Sequence, residues 1–219
     1  MRNICKMSEP RELTQYRCQP DNEGYDVGYR YKSELLDALI SEQRGLCCYC
    51  MSHITQETAH VEHWYTQKMS RTGDFPDGCG DLDYKNLLAV CLGSINQHCD
   101  KSRPDDKKLK YNPAIHDVEA IIEYESNGTI SSTDDEFKEQ LNNFLKLNCH
   151  FLIKNRWKEL KGFTDGYQKQ CRKNPKGAKA YLQKQLGVWD GTTSSGELKK
   201  YCQIVVFWIK TKLRRNQAT

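Results

Sequence analysis

The residue types that could do chemistry are concentrated in one stretch, residues 47–63, CCYCMSHITQETAHVEH. Three cysteines occupy four positions, and three histidines and two glutamates follow. Cys47 and Cys50 have Cys-x-x-Cys spacing, which lets both sulfurs point inward from one turn, and Cys91 and Cys99 form a later pair. Four thiolates from two turns suit a closed tetrahedral zinc site. The second pair is eight apart rather than three. His98, beside Cys99, is an alternative ligand, and Cys48 could stand in for Cys47. Two other readings compete. Free cysteines are commonly just buried, and a thioredoxin-like redox pair needs a βαβ setting, whereas here a helical pattern comes first.

A second set lies between the cysteine pairs. In HVEHWY, residues 60–65, a strand would put His60 and Glu62 on one face and His63 on the other. Asn86 heads an apolar run and Asp100 directly follows Cys99. Taken singly these residues have plain roles, Asn86 as a cap and His63 as a surface or core residue. As an ordered set, two carboxylates, a His and an Asn framed by cysteine pairs can build a metal-dependent hydrolase.

These residues need elements to position them. Residues 1–29, with Pro10, Pro20, Gly24 and Gly28, read as irregular. YKSELLDALISEQR, residues 31–44, spaces Leu35, Leu36, Leu39 and Ile40 helically, with Ser33 as a candidate N-cap and Gly45 as the stop. Residues 67–85 and LGSINQH read as loops around the short apolar run NLLAVC. VEAIIEYESNGTI, residues 118–130, reads as a hairpin turning at Asn-Gly. From Asp134 a helical period carries Phe137, Leu141, Phe144, Leu145, Leu147, Leu152 and Trp157, with breaks expected at Gly187 and Asp190–Gly196. YCQIVVFWIKTKL reads as a buried final helix ahead of the basic tail KTKLRRNQAT. The expected class is α+β, divided into an N-terminal segment and helix (1–44), a metal-bearing unit (45–112) and a hairpin followed by a mostly helical, basic region (113–219).

Composition narrows the function. The chain has 219 residues, 37% hydrophobic and 28% charged. No run approaches the ~18 apolar residues of a membrane span, and MRNICKMSEPREL lacks the apolar core of a signal peptide. The expectation is a cytoplasmic protein whose eleven cysteines serve metal binding or packing rather than disulfides. The net charge of +4 is uneven. Residues 154–219 hold 16 Lys/Arg against 4 Asp/Glu, net +12, leaving −8 on residues 1–153. A basic C-terminal third fits a nucleic-acid or acidic partner as well as a solvated helical surface.

The string GLCCYC…HVEHWY…DLDYKNLLAVC…HCD resembles the HNH endonuclease superfamily, the ββα-metal nucleases. The resemblance implies that His63 is the general base, that Glu62 and Asp100 hold a catalytic Mg²⁺ or Mn²⁺, and that Asn86 stiffens the loop and orients the His. It assigns Cys47, Cys50, Cys91 and Cys99 to structural zinc, with His60 and His98 as supporting neighbours. Cys48 is then a packed bystander, and His53 has no catalytic role. Leu13, the helix before GLCCYC, YNP at 111–113, the hairpin and LKLN…LIKNR at 145–156 extend the likeness to the PtuB-like proteins of Septu and retron-associated antiphage defence. That subfamily implies a bacterial cytoplasmic complex with an ABC/SMC-like ATPase of the PtuA type, and in retron systems a reverse transcriptase with its msDNA. Three positions depart from the family pattern: Thr66 where Pro is usual, Arg103 where Lys is usual, and the wide Cys91–Cys99 spacing.

The implied reaction is phosphodiester hydrolysis, on DNA by preference or on a structured RNA such as tRNA. A His of near-neutral pKa takes a proton from water, and carboxylates hold a hard divalent ion at the phosphate. The alternative is a non-catalytic zinc finger that docks a partner or nucleic acid. The region after residue 130, large for a nuclease whose site ends near 103, is expected to dock the ATPase, bind substrate, or both, and to be removable from 157 onward without loss of zinc.

Overall fold

The computed structural model describes residues 1–70, 80–93, 97–193 and 196–215. It is an α+β fold with two small antiparallel sheets among helices. Two short helices, α1 (Arg11–Arg17) and α2 (Gly24–Val27), precede α3 (Lys32–Glu42), and a single helical turn, α4 (Gln67–Ser70), opens the stretch expected to be loop. The buried stripe Leu35, Leu36 and Leu39 of α3 packs on the hairpin of β1 (Ala59–His63) and β2 (Leu87–Cys91). Register pairs His60 with Val90, Glu62 with Leu88 and His63 with Leu87.

All five residues of β2 are buried, so the backbone groups on its outer edge need partners other than water. Gln43, itself buried, supplies them at Ala89, as Lys6 does at the Leu87 carbonyl. The Gln43 amide donates to the Leu46 and Ala89 carbonyls at 2.8 and 2.7 Å, and its oxygen accepts from Ala89 N at 2.7 Å. One side chain thus fastens the end of α3, the start of the cysteine turn and β2.

A second hairpin, β3 (Ile122–Tyr124) and β4 (Ile130–Ser132), turns at Asn127–Gly128. Gly128 has φ +98, and a Cβ there would lie 2.2 Å from the Ile153 carbonyl. Next come α5 (Asp135–Asn143) and α6 (His150–Lys173), whose buried stripe is Leu152, Arg156, Leu160, Phe163 and Tyr167. Asp134 caps α5 by accepting from Phe137 N. The chain ends with α7 (Ala178–Asp190) and α8 (Cys202–Arg215), with Phe163 edge-on to Trp189 and Trp208.

Several sequence expectations need correction. Residues 1–29 hold two short helices because Leu13 and Tyr25 are buried against the body. Tyr31 is the N-cap of α3, and the Ser33 hydroxyl donates instead to Gln56. Residues 118–120 form a 3-10 turn because the Asp117 carboxylate accepts from Ala120 N, so the strand starts at Ile122. The helical run from Asp134 is broken between α5 and α6, where Lys146 takes φ +46. Gly187 lies inside α7 without breaking it. The third element of the expected ββα finger is a single 3-10 turn, Cys99–Ser102. Parts of the expected loops (71–79, 94–96), of the break (194–195) and of the basic tail (216–219) lie outside the described residues.

The C-terminal region returns to the cysteine turn. Tyr201 N donates to the Met51 carbonyl at 2.7 Å, Leu198 N to the Arg44 carbonyl at 3.0 Å, and His53 Nε2 to the Leu198 carbonyl at 2.7 Å. Ile204, Val205, Val206 and Ile209 of α8 are buried in the same core as α3 and β2. Each such side chain stabilises by about 1.5–3 kcal/mol relative to exposure, against a total of about 5–15 kcal/mol for a typical domain. Truncation after residue 196 is therefore expected to cost both the cooperative thermal transition and the metal held by the cysteine turn. An unchanged melting temperature and metal content would instead make α8 a dispensable appendage.

Candidate active site and metal centre

The Sγ atoms of Cys47, Cys50, Cys91 and Cys99 lie within 4.8 Å of one another, and all four residues are buried. Cys47 and Cys99 are 3.9 Å apart, Cys50 and Cys91 3.7 Å. A tetrahedron with metal–sulfur bonds of about 2.3 Å has sulfur–sulfur edges of about 3.8 Å, so this soft-donor set fits one metal ion. The turn that places the first pair is closed by Cys47 N donating to the Ser52 carbonyl and by Met51 at φ +68. Cys91 N donates to Cys47 Sγ at 3.5 Å. Burial opposes ionisation of Cys47, but hydrogen bonds from Cys48, Cys50, Cys91 and Cys99 hold its thiol well below the ordinary value. Cys48 is outside the cluster of four, and burial pushes its thiol well up. His98 Nδ1 sits 3.2 Å from Cys99 Sγ and 3.9 Å from Cys91 Sγ.

A second donor set follows from β-strand alternation. His60 and Glu62 project from one face of β1, and the turn beginning at Cys99 brings Asp100 to them. One donor atom from each of His60, Glu62 and Asp100 lies within 4.8 Å of the others. His60 Nε2 and Asp100 Oδ2 are 2.7 Å apart. These residues line a groove of about 430 Å³ together with His63, Asp26, Lys68 and Lys101.

Glu62 is held from behind. Arg103 Nη1 donates to Glu62 Oε1 at 2.5 Å and Tyr49 Oη to the same oxygen at 2.8 Å. The guanidinium also donates to the carbonyls of His63 and Trp64. Both bonds to Glu62 fall on Oε1, which leaves the other oxygen for a cation. Burial pushes the Glu62 carboxyl up to about 8, aided by the facing Asp100 and opposed by Arg103. Burial also opposes the Asp100 charge, but hydrogen bonds from His60 and Glu62 hold its carboxyl down to about 2. Two carboxyls that cannot both ionise unaided form a natural cation position.

His63 faces the other side of β1 and reaches the groove at the strand's end. Its Nε2–H donates to the Asp81 carbonyl at 3.0 Å, which leaves the lone pair on Nδ1. Burial lowers its pKa, partly offset by that carbonyl, so the ring is neutral at pH 7. Tyr25 meets the ring edge-on, centroids 4.8 Å apart, while Tyr25 N donates to Asp81 Oδ2 at 2.9 Å. Gly24, at φ +76, permits this approach, since a Cβ would lie 2.7 Å from that oxygen. Asn86 is fully buried. Its Oδ1 accepts from Tyr65 N at 2.6 Å, and its amide donates to the Tyr65 and Gly80 carbonyls. It thereby fixes the chain just after His63.

Tyr25, Tyr49, Asp81 and Arg103 complete the site without having been assigned from sequence. Arg103 alone carried a signal, as a cation at the family's lysine position. Tyr25 lies in a segment read as irregular. Thr66, at the family's proline position, serves the next turn: its hydroxyl donates to the Asp105 carbonyl and accepts from Met69 N.

Arg103→Ala removes the donors to Glu62 Oε1 and to the buried His63 and Trp64 carbonyls and is expected to destabilise by about 1–3 kcal/mol, read as a lower midpoint in urea. Cys48→Ala is expected to keep the metal that Cys99→Ala loses. Equal metal content in both, measured by mass spectrometry, would contradict the four-thiol assignment.

No protein-family profile matches the chain. Over 114 residues the chain is 33% identical to an Escherichia coli protein named "Retron Ec83 putative HNH endonuclease". The match covers 48% of this chain and 42% of that relative, so the chain spans less than half of the relative's length. Together with a thiol cluster that holds the Glu-His strand against the Cys-Asp turn, this relationship supports a place for the chain in the HNH endonuclease superfamily.

Proposed function

We propose that the chain is a metal-dependent HNH endonuclease that hydrolyses phosphodiester bonds. The observation that carries this reading is the convergence of His60, Glu62 and Asp100 in a groove that His63 also lines. A nearby set of four thiols has the soft donors of structural zinc. The second set pairs oxygen donors with an imidazole, a mixture that suits Mn²⁺ and accommodates Mg²⁺. An ion held there supplies a Lewis acid for the scissile phosphate and the leaving 3′ oxygen.

The protein's own contribution is placement and proton transfer. The Asp81 carbonyl fixes the His63 tautomer, and Nδ1 takes a proton from the attacking water. The water oxygen bonds to phosphorus, the bond to the 3′ oxygen breaks, and that oxygen takes a proton from solvent. Asn86 keeps the chain beyond His63 from shifting, and Arg103 keeps Glu62 turned toward the groove.

DNA is the favoured substrate and a structured RNA such as tRNA the second. By the named relative and the family resemblance, the setting is an antiphage complex with an ABC/SMC-like ATPase in a bacterial cytoplasm, with a retron reverse transcriptase and its msDNA as further components. No helix among the described residues is long and apolar enough to cross a membrane.

The deciding experiment incubates wild-type and His63→Ala protein, each with its partner ATPase, with plasmid DNA and total RNA in Mn²⁺. Cleavage by wild type alone is expected, with at least about a hundredfold loss in the variant. Equal cleavage by both would remove His63 from the mechanism. The site's proton balance gives a further expectation. With the Glu62 carboxyl at about 8, a cation must displace a proton at neutral pH. Apparent Mn²⁺ affinity is therefore expected to climb with pH and level off near 8. Without the cation, the raised carboxyl makes the fold less stable as pH rises from 4.5 to about 8. A flat Mn²⁺ titration between pH 6 and 8, by calorimetry, would contradict the shared proton.

A further inference from the structure

The outward face of α6 combines positive charge with exposed aromatic rings, and it begins beside the turn that carries Asp100. The helix has 24 residues and a length of about 36 Å. Its buried stripe, from Leu152 to Tyr167, fixes which face looks out. On that outer face Lys154, Lys158, Lys161, Lys169 and Arg172 are exposed against one acid, Asp165, which pairs with Lys161. Phe151 and Trp157, at the same end as the site, are 46% and 41% exposed.

The placement of the aromatics is specific. The Phe151 ring lies parallel to that of His98, centroids 6.3 Å apart, and His98 is two residues from Asp100. Cys99 N donates to the Leu145 carbonyl and the Ser102 hydroxyl to that of Phe144, so the loop leading into α6 is fastened to the catalytic turn. Trp157 stands about 9 Å further along the axis, on the opposite flank of the same lysine-bearing face. An isolated exposed ring is ordinary. Two rings set among lysines, one of them stacked on the site's own turn, form the mixed surface that grips a single strand: cations for phosphates and rings for base faces. Bases paired inside a duplex offer no face to such rings.

We infer that this face of α6 binds single-stranded nucleic acid, and that the substrate reaches the groove through a segment with unpaired bases. The inference builds on the nuclease reading by naming the substrate class. Phe151 and Trp157 stack on unpaired bases. Lys154, Lys158 and Lys161 neutralise the phosphates between them. The charge suits a polyanion, and the rings select the unpaired form.

The test measures binding of the full-length protein, without added divalent ion, to fluorescent oligothymidylate, oligouridylate and a DNA duplex of equal length. Wild type is expected to prefer a single strand to the duplex, and the tighter of the two single strands identifies the sugar. The double variant Phe151→Ala/Trp157→Ala is expected to lose about tenfold or more on single strands and nothing on duplex, with unchanged metal content and circular dichroism. Lys154→Gln/Lys158→Gln/Lys161→Gln is expected to weaken both and flatten the single-strand salt slope by about 2. Preference for duplex, no binding by wild type, or full single-strand affinity in the aromatic variant would each overturn the inference. So would a lysine variant that keeps nucleic-acid affinity but releases the ATPase, since the face would then belong to an acidic protein. The two readings fail separately. Single-strand preference without cleavage in the complex supports this inference and removes the nuclease reading. Cleavage with an unaffected aromatic variant does the reverse.

Discussion

The constraint on which the site depends is the convergence of four thiols. They come from three places in the chain: the turn after α3, the last residue of β2, and the head of the Cys99–Ser102 turn. A two-stranded sheet is marginal in water by itself, and this one must hold its partner turn close enough for Asp100 to meet His60. The cluster gathers the two segments one residue away from Asp100. Asp100 follows Cys99 directly, so any displacement of the fourth sulfur is passed to the carboxylate that faces His60. Cys99 itself takes φ +59, an uncommon backbone state for a residue with a side chain. Its burial and the hydrogen bond from its N–H to Leu145 maintain that state.

A second tension sits within the groove. Glu62 and Asp100 face each other where burial disfavours charge on either, yet Arg103 is buried against Glu62. A buried ion pair seldom adds net stability, because desolvation consumes the attraction. Arg103 instead acts on orientation. One planar group donates to the Glu62 carboxylate and to two successive backbone carbonyls beyond it, so the carboxylate and the end of β1 move as one piece. A lysine, with a single ammonium on a flexible stem, could satisfy the charge without the same fork of directions. The arginine at this position therefore goes with a carboxylate sunk into the core.

The four thiols and the Glu62–Asp100 pair were legible in the sequence because their residues are sparse and their order is informative, whereas His60, read as a supporting neighbour, stands among the donors themselves. Alternation along β1 was enough to separate His60 and Glu62 from His63. The supporting shell was less legible, for definite reasons. Tyr25 and Asp81 act through an edge-on ring contact and a backbone carbonyl, and neither leaves a spacing pattern. The short helices α1 and α2 carry too few periodic residues to register against Pro10, Gly24 and Gly28. The expected α-helix of the finger became a 3-10 turn. Its hydrogen bonding is taken up by the Cys99–Leu145 and Ser102–Phe144 contacts with a segment forty residues away. Long-range bonds of that kind are invisible to local periodicity.

The same contacts alter how the basic C-terminal third should be understood. From its length beyond the site it reads as a docking or substrate-binding region whose removal from 157 onward would spare the zinc. In three dimensions α8 shares the core of α3 and β2, and residues 198–201 bond to the backbone of the cysteine turn. Its positive charge is thus carried on helices packed against the frame of the cysteine cluster, while the loop leading into α6 is fastened to the turn that bears Asp100. A polyanion drawn to a flexible basic tail could approach the groove from many directions. Drawn to a helix fastened beside the Asp100 turn, as proposed above, it would be presented along one line, with the rings at the near end of that helix beside the turn that lines the groove.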